Sequence, residues 1–303
     1  MTIALKAPPV RDKRVPRETT SRDAGVHAQD ARRWLSTPDS RDAPPVSTVR
    51  ITHVGTACVL LECEGLRILT DPVFDPAGSR YDFGWGTGST KLTPPAISPD
   101  ALGKLDAILL SHDQHADNLD SRGREILSRA DRVVTTRRAA RRIPNSTGLA
   151  PWETTTLRAP SGVDVRITAT PARHGPPLSL PFVGPVVGFA LEWPGQTNGA
   201  IYFSGDTVLF RGLDAIPTIL RVGTALLHMG GVGFPLFGPL RFTMNARHAA
   251  RLSKRLDAKT FVPIHYDGWT HFLEPRADAE RAFAEAGVTA QWLVPGVARE
   301  IVV

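Results

Sequence analysis

From residue 49 onward, apolar and polar residues alternate in short runs, and this pattern predicts a fold rich in β-strands. The stretch 49–74 places β-branched and apolar residues around the turn signals VG, EG and DP, which predicts two or three strands in a meander. Further strands are predicted at 105–111, 132–136, 163–172, 186–193, 199–207, 224–231, 259–269 and 297–303.

Amphipathic stretches between these strands predict helices at 121–130, 244–256 and 277–287. We expect Asp120 or Ser121 to cap the first helix and Thr243 to cap the second, because short polar side chains satisfy the free N–H groups at a helix start. Since strands and helices interleave in two strand-rich halves, the pattern predicts an α/β fold in which sheets pack together with helices outside.

The first 48 residues break this pattern. They are rich in Arg, Asp, Pro and Ser and lack apolar periodicity, so we predict a basic, disordered leader (1–48) before one folded domain at 49–303.

The whole chain of 303 residues is 42% hydrophobic and 22% charged, the composition of a soluble globular protein. No stretch reaches the roughly 18 apolar residues of a membrane span, and the N-terminus lacks a secretory apolar segment, so we interpret the protein as cytoplasmic.

The net charge of +6 raises the question of a nucleic-acid partner. Residues 1–50 contain ten Lys/Arg and six Asp/Glu, so four of the six excess charges lie at the N-terminal end. A second basic run, TTRRAARRIP at 135–144, predicts either a solvated helix surface or a contact for an anionic substrate group. No aromatic residue is interleaved with it, as single-strand binding would favour, so we expect a small-molecule substrate and no nucleic acid.

Polar side chains follow four of the predicted strands at the point where each strand ends. These residues are His112, His115, His174, Asp206 and His265. Loops at strand ends carry function because a rigid sheet positions them. Imidazole and carboxylate are ligands for zinc and similar ions, and neither cysteine of the chain lies at these ends, which argues against a closed structural zinc site. Two ions sharing one aspartate would activate a bridging water for hydrolysis.

The chain resembles the metallo-β-lactamase-fold hydrolases over residues 49–303. The resemblance rests on ITHVGTACVLLECEGLRILTDPVF, LTPPAISPDALGKLDAILLSHDQHADNLD, LAPWETTTL, ARHG, YFSGDT and FVPIHYDGW. Within that superfamily it is most similar to the branch of N-acylphosphatidylethanolamine phospholipase D and the ascorbate-phosphate lactonases. This implies an αββα sandwich of two mixed sheets with helices outside. It also implies a hydrolase in which a metal-bound hydroxide attacks a phosphodiester or an ester or lactone bond.

The family signature H-x-H-x-D-H, followed by His, Asp and His, implies the ligands. For the first ion they are His112, His115, His174 and Asp206, and for the second Asp117, Asp206, His265 and Asn118. The motif is one residue longer here, so either His115 is the second ligand, which we expect, or Gln114 replaces it. Asn118 stands where the family has histidine, and an amide oxygen is a weaker ligand. We therefore expect one or two Zn²⁺ ions, with Mn²⁺ or Fe²⁺ as alternatives.

The same resemblance assigns further roles. Asp117 and Asp206 are the predicted catalytic residues, and Asp117 would orient the water or pass on its proton. Asp71 is expected to orient a ligand histidine by a hydrogen bond. From their positions in the sequence, Asp113 is expected to be either solvated or a second such residue. His228 and His271 are candidates for contact with substrate, with a surface position as the alternative for His271.

Two loops and two alternative functions stay open. The glycine-rich loop around Trp85 is an expected lid, and the apolar loop with Phe234, Leu236 and Phe237 is an expected pocket wall, with peripheral membrane contact as the alternative. The alternative functions are a nuclease of the same fold, which the basic pI of 9.7 prompts, and a metal- or ligand-binding protein without turnover, which Asn118 prompts.

Overall fold

A computed structural model of the protein describes residues 47–84 and 86–303. The predicted leader, apart from its last two residues, and Trp85 lie outside the described residues. Among the described helices, none combines the length and apolarity that a membrane crossing requires.

Fifteen β-strands and six α-helices make up the described chain. The strands are β1 (Thr48–Gly55), β2 (Cys58–Cys63), β3 (Leu66–Thr70), β4 (Arg80–Gly84), β5 (Thr87–Thr90), β6 (Ala107–Leu109), β7 (Val133–Thr136), β8 (Ser146–Leu149), β9 (Thr154–Arg158), β10 (Asp164–Pro171), β11 (Val187–Glu192), β12 (Ala200–Phe203), β13 (Val222–His228), β14 (Thr260–Ile264) and β15 (Ala298–Val302). The helices are α1 (Ser121–Ile126), α2 (Arg137–Ala140), α3 (Leu180–Val183), α4 (Ile216–Ile219), α5 (Ala246–Leu256) and α6 (Arg276–Ala286). Short 3-10 turns lie at Pro99–Leu102, Leu127–Arg129, Arg211–Ala215 and Pro235–Phe237.

The strands form two large mixed sheets and one hairpin. The larger sheet has seven strands in the order β15-β1-β2-β3-β6-β7-β8, and the second has six in the order β14-β13-β12-β11-β10-β9. Strands β4 and β5 pair only with each other.

The two sheets pack face to face. Successive side chains of a strand point to opposite faces, so each strand contributes side chains both to the core between the sheets and to the outer surface of its sheet. On β6, Leu109 faces the core between the sheets, whereas Ile108 packs outward in the cluster that holds Ile126 of α1. On β13, Leu226 faces the same central core, whereas Leu227 packs outward in the cluster of α5 and α6. The predicted αββα sandwich of two mixed sheets with helices outside is confirmed.

Helix boundaries differ from the expectations in three places. Asp120 caps α1 as predicted, accepting a hydrogen bond from the Gly123 N–H at 2.8 Å, but the α-helix ends at Ile126 and continues only as a 3-10 turn. Thr243 does not cap α5. Its hydroxyl donates to the buried Met229 carbonyl at 3.0 Å, and Asn245 is the cap instead. The Arg-rich helix α2 has only four residues.

Strand direction determines where the polar strand ends meet. Strands β3, β6 and β7 are parallel in the first sheet. In the second sheet β12, β13 and β14 are parallel, and β10 points the same way because β11 runs antiparallel to both β10 and β12. The carboxyl ends of these parallel strands therefore lie at the same end of each sheet. Ligands bind at this end in sheets of this kind.

Candidate metal centre

Six side chains come together at the carboxyl ends of these strands. Two groups have all their ligand atoms within 4.8 Å of one another: His112, His115 and His174, which we call the first cluster, and Asp117, Asp206 and His265, the second cluster. The chain leaves β6, β10, β12 and β14 just before His112, His174, Asp206 and His265.

In the first cluster three imidazole nitrogens face each other. His115 Nδ1 lies 3.1 Å from His112 Nε2 and 3.0 Å from His174 Nε2. The Asp206 Oδ2 atom lies 3.9 Å from His174 Nε2 and has no hydrogen-bond partner. Ligands of a tetrahedral zinc ion at its usual bond lengths stand about 3.3 Å apart, so these spacings suit such an ion.

Hydrogen bonds hold the ligand histidines in one tautomer. His174 Nδ1 donates to the Phe242 carbonyl at 2.8 Å, and His265 Nδ1 donates to the Met229 carbonyl at 3.3 Å. His112 Nδ1 donates to the Ser111 hydroxyl at 2.9 Å, because that hydroxyl in turn donates to Asp71 Oδ2 at 2.7 Å. Each of the three rings therefore turns Nε2 towards the clusters, the orientation that metal-bound histidines have. Asp71 takes the orienting position expected from the sequence, acting through Ser111.

Burial controls the charge of the first cluster. It lowers the pKa of His174 to about 3, with His115 adding to the effect, and lowers the pKa of His112 well below 6.5, with His174 adding to it. Burial also lowers the pKa of His115. The three rings are thus neutral at pH 7, the form that binds metal ions.

In the second cluster one imidazole lies between two carboxylates. His265 Nε2 lies 3.3 Å from Asp117 Oδ2 and 3.4 Å from Asp206 Oδ1, yet it makes no hydrogen bond. Burial raises the pKa of Asp206 to about 7. Burial alone would lower the pKa of His265, but Asp206 and Asp117 outweigh it and raise that pKa to about 9. The buried Asp206 Oδ2 atom, which has no donor among the described residues, fits a bound cation that both clusters share.

Asn118 lies beside the second cluster with its amide nitrogen turned towards the carboxylates. Nδ2 donates to Asp71 Oδ2 at 3.0 Å and to Asp206 Oδ1 at 3.3 Å, while Oδ1 has no partner. The second cluster therefore offers two carboxylates and one imidazole, and ligation by Asn118 stays a prediction.

Two neighbours of the ligands point elsewhere. Gln114 does not replace His115, because its amide packs against Gly184, where a Cβ atom would come within 2.6 Å of it. Asp113 does not orient a ligand histidine through a hydrogen bond. Its carboxylate instead accepts two hydrogen bonds from Arg142, at 2.9 and 2.5 Å.

His228 and His271 occupy different surroundings. His228 is fully buried below the clusters, with Nδ1 3.2 Å from the Ser204 hydroxyl and Nε2 3.5 Å from Asp71 Oδ2. It does not line the cavity that opens onto the clusters, so the expected substrate contact is wrong for this residue. The ring lies beneath the site because His228 is itself the last residue of β13.

His271 does line the cavity. Its Nε2–H donates to Asp117 Oδ2 at 3.0 Å, and Nδ1 lies 2.5 Å from the Ser89 hydroxyl. The ring stacks on Phe234 with a centroid distance of 5.5 Å and an interplanar angle of 3°. These contacts fix the ring beside the predicted catalytic carboxylate.

A cavity of about 500 Å³ opens onto the clusters, and we call it the apolar cavity. His115, Asp117, His174 and His271 form its polar end, and its walls are apolar apart from Thr87 and Ser179, with no lysine or arginine among the described lining residues. The expected wall residues Phe234, Leu236 and Phe237 are present. The hairpin β4–β5, the expected lid, contributes Phe83, whose ring lies edge-on to His115 at 5.9 Å.

Some wall and support residues could not be found from the sequence. Phe182 and Phe242 line the cavity, and Ser111 and Ser89 hold the histidines, but no sequence pattern assigned them these roles. The only available signal was that Ser111 directly precedes His112 at the end of an apolar run.

Comparison with known proteins agrees with this geometry. Residues 66–266 match the model of the beta-lactamase superfamily domain. A UPF0173 metal-dependent hydrolase of Pyrobaculum calidifontis is 27% identical over 226 residues, covering 72% of this chain and 84% of the relative. A possible metal-dependent hydrolase from Veillonella parvula has a TM-score of 0.69 at 17% identity, covering 84% of this chain and 100% of that one. Isothiocyanate hydrolase from Delia radicum gut bacteria has a TM-score of 0.66 at 20% identity, covering 83% and 98%.

Proposed function

The chain belongs to the beta-lactamase superfamily and is a metal-dependent hydrolase, and from that premise we propose that it hydrolyses an ester or lactone bond in a small, apolar, uncharged molecule. The observation that carries this proposal is the composition of the apolar cavity. Its polar groups are concentrated at the end that faces the clusters, and its walls present mainly aromatic and aliphatic side chains.

The same observation argues against a phosphodiester. A phosphodiester keeps a negative charge at neutral pH, and burying it among apolar walls without a cationic side chain costs free energy beyond what a neutral ester requires. Of the two bond types that the resemblance implies, the ester or lactone is therefore favoured.

Six residues of the site would hold the metal ions. His112, His115, His174 and Asp206 would hold one metal ion, and Asp117, Asp206 and His265 a second. Such ions would activate the attacking water and polarise the carbonyl of the substrate.

Asp117 would act directly on that water. It faces the cavity, and its Oδ2 atom would accept a proton from the water while the His271 N–H keeps the carboxylate in place. The apolar walls would exclude bulk water and strengthen these interactions.

Hydrolysis of p-nitrophenyl acetate, butyrate and octanoate, beside bis-p-nitrophenyl phosphate and a series of lactones, tests the proposal. Each CH₂ group buried in the cavity contributes about 0.8 kcal/mol, so we expect kcat/KM to rise about tenfold from acetate to butyrate. The metal-loaded protein should turn over the phosphodiester far more slowly.

Two variants separate the cavity from the rest of the surface. Phe182→Ser removes an apolar wall residue and should flatten the dependence on chain length, whereas Val294→Ser changes a similarly exposed apolar residue outside the cavity and should not. Faster hydrolysis of the phosphodiester than of every ester and lactone would overturn the proposal. No hydrolysis at full metal occupancy would favour a binding protein.

A further inference from the structure

A second cavity, of about 630 Å³, borders the apolar cavity, and we call it the arginine cavity. Both cavities share His174, Pro176, Leu178 and Ser179. The arginine cavity is lined by four arginines, Arg137, Arg138, Arg141 and Arg173, and by no aspartate or glutamate among the described residues.

Most of this positive charge is uncompensated. Arg137 pairs with Glu153, and its Nε lies 3.0 Å from Glu153 Oε2. The exposed side chains of Arg138 and Arg141 make no hydrogen bond or ion pair within residues 47–84 and 86–303. Their neighbour Arg142 differs, because it pairs with Asp113. A solvated helix surface with interspersed charges would not place three unpaired cations around one cavity.

Arg173 supplies the third cation from another element. Its guanidinium stacks on the ring of Phe210, 4.8 Å from the ring centroid, and its shielded Nε has no hydrogen-bond partner. An arginine fixed by stacking, with a donor left free, is suited to bind a carboxylate or phosphate group.

We propose that the arginine cavity binds a small organic anion, a carboxylate or phosphate group attached to an apolar body. The arginines select the charged group, and Leu149, Pro151 and Val186 line the remainder of the cavity with apolar surface. The arginines lie outside the apolar cavity, so their binding of an anion can be tested separately from the proposed ester hydrolysis.

Isothermal titration calorimetry of the metal-loaded full chain with phenylphosphonate tests the proposal, since its C–P bond resists hydrolysis. We expect one molecule per chain, bound more tightly than inorganic phosphate. Each charge-assisted hydrogen bond is strong, so the double variant Arg138→Gln/Arg141→Gln should weaken binding at least about tenfold. The matched control is Arg251→Gln, which removes an exposed arginine of α5 and should leave the affinity unchanged.

Two results would overturn the proposal: wild-type protein that does not bind phenylphosphonate, or a double variant that binds it as tightly as wild type. The second result would show that Arg138 and Arg141 do not bind the anion. A further measurement distinguishes the sources of the anion. If phenylphosphonate competes with ester substrates and the double variant slows only carboxylate-bearing esters, the anion is one end of the substrate, and the proposal of an uncharged substrate fails. If it binds without competing, the anion is a separate ligand.

Discussion

At the scale of single residues, Asn118 explains why the second cluster offers fewer metal ligands than the first. Its amide N–H bridges Asp71 and Asp206, where an imidazole could offer a ring nitrogen to the metal and still donate Nδ1–H to Asp71. The first cluster with Asp206 offers four ligand groups and the second only three. The second ion should therefore dissociate more readily than the first.

We predict that Asn118→His strengthens the second metal site. Elemental analysis after dialysis against a weak chelator should find about one zinc ion per chain in wild type and close to two in the variant, because imidazole is the better zinc ligand. Gln114→His serves as the control, since Gln114 packs against Gly184 and does not face the clusters. Equal metal content in wild type and Asn118→His would contradict the prediction.

At the scale of elements, the turn after β12 places Asp206. Gly205 has a φ of +60°, and a Cβ atom there would come within 2.6 Å of the Val187 carbonyl oxygen. The turn therefore requires glycine for two reasons, the backbone conformation and the close approach of β11.

We predict that Gly205→Ala destabilises the protein by about 2–4 kcal/mol, the sum of a strained φ and a displaced strand, and that it also weakens metal binding. Urea unfolding and metal titration would measure the two effects. Gly238→Ala is the matched control, because Gly238 has a φ of +56° with no atom within 4 Å of the added Cβ. A similar loss for both variants would mean that crowding at Gly205 contributes nothing.

The strand ends were predictable from the sequence because each ligand follows an apolar run directly, as His112 follows 105–111 and His265 follows 259–264. The helix cap at Thr243 was not, since its hydroxyl is used by Met229, a contact that only the folded chain reveals. The cavity walls were equally inaccessible. Phe83, Phe182 and Phe242 are about 60 to 160 positions apart, and no periodicity connects them.

At the scale of the whole molecule, the clusters join the two sheets. His112, His115 and Asp117 follow a strand of the first sheet, whereas His174, Asp206 and His265 follow strands of the second. A bound ion would therefore connect both halves of the sandwich, and its binding free energy would add to the stability of the fold.

We predict that removing the metal with a chelator lowers Tm by about 10 °C. Ligand at about a thousand times its Kd stabilises by about 4 kcal/mol, and a domain of this size shifts by about 2–4 °C per kcal/mol. Differential scanning fluorimetry before and after readdition of zinc measures the shift. His248→Ala, which changes a histidine of α5 outside the clusters, should show the full shift, and His112→Ala should show little or none. An unchanged Tm in wild type would contradict the prediction.

The metal-free protein should be most stable near pH 6.5. Below the unfolded value of 6.5, the unfolded chain binds protons that His174, with its pKa of about 3, does not accept, so stability falls with falling pH. The raised pKa of Asp206 offsets part of this loss, because the folded state takes up that proton near pH 7.

Above pH 6.5 His265 dominates. Its raised pKa stabilises the fold fully below pH 6.5, and this contribution is lost progressively between pH 6.5 and about 9. Urea unfolding at a series of pH values, with and without zinc, measures both limits. A midpoint that rises steadily from pH 7 to pH 10 in metal-free protein would contradict the prediction.

Strand β15 completes the first sheet by pairing with β1, so that Thr48 lies opposite Val302. Because these two strands are about 250 residues apart in the sequence, the edge of β1 stays open during folding until β15 pairs with it. An unpaired edge of this kind is a site where folding chains associate with one another. The interval before β15 pairs is therefore when this protein would be most prone to self-association.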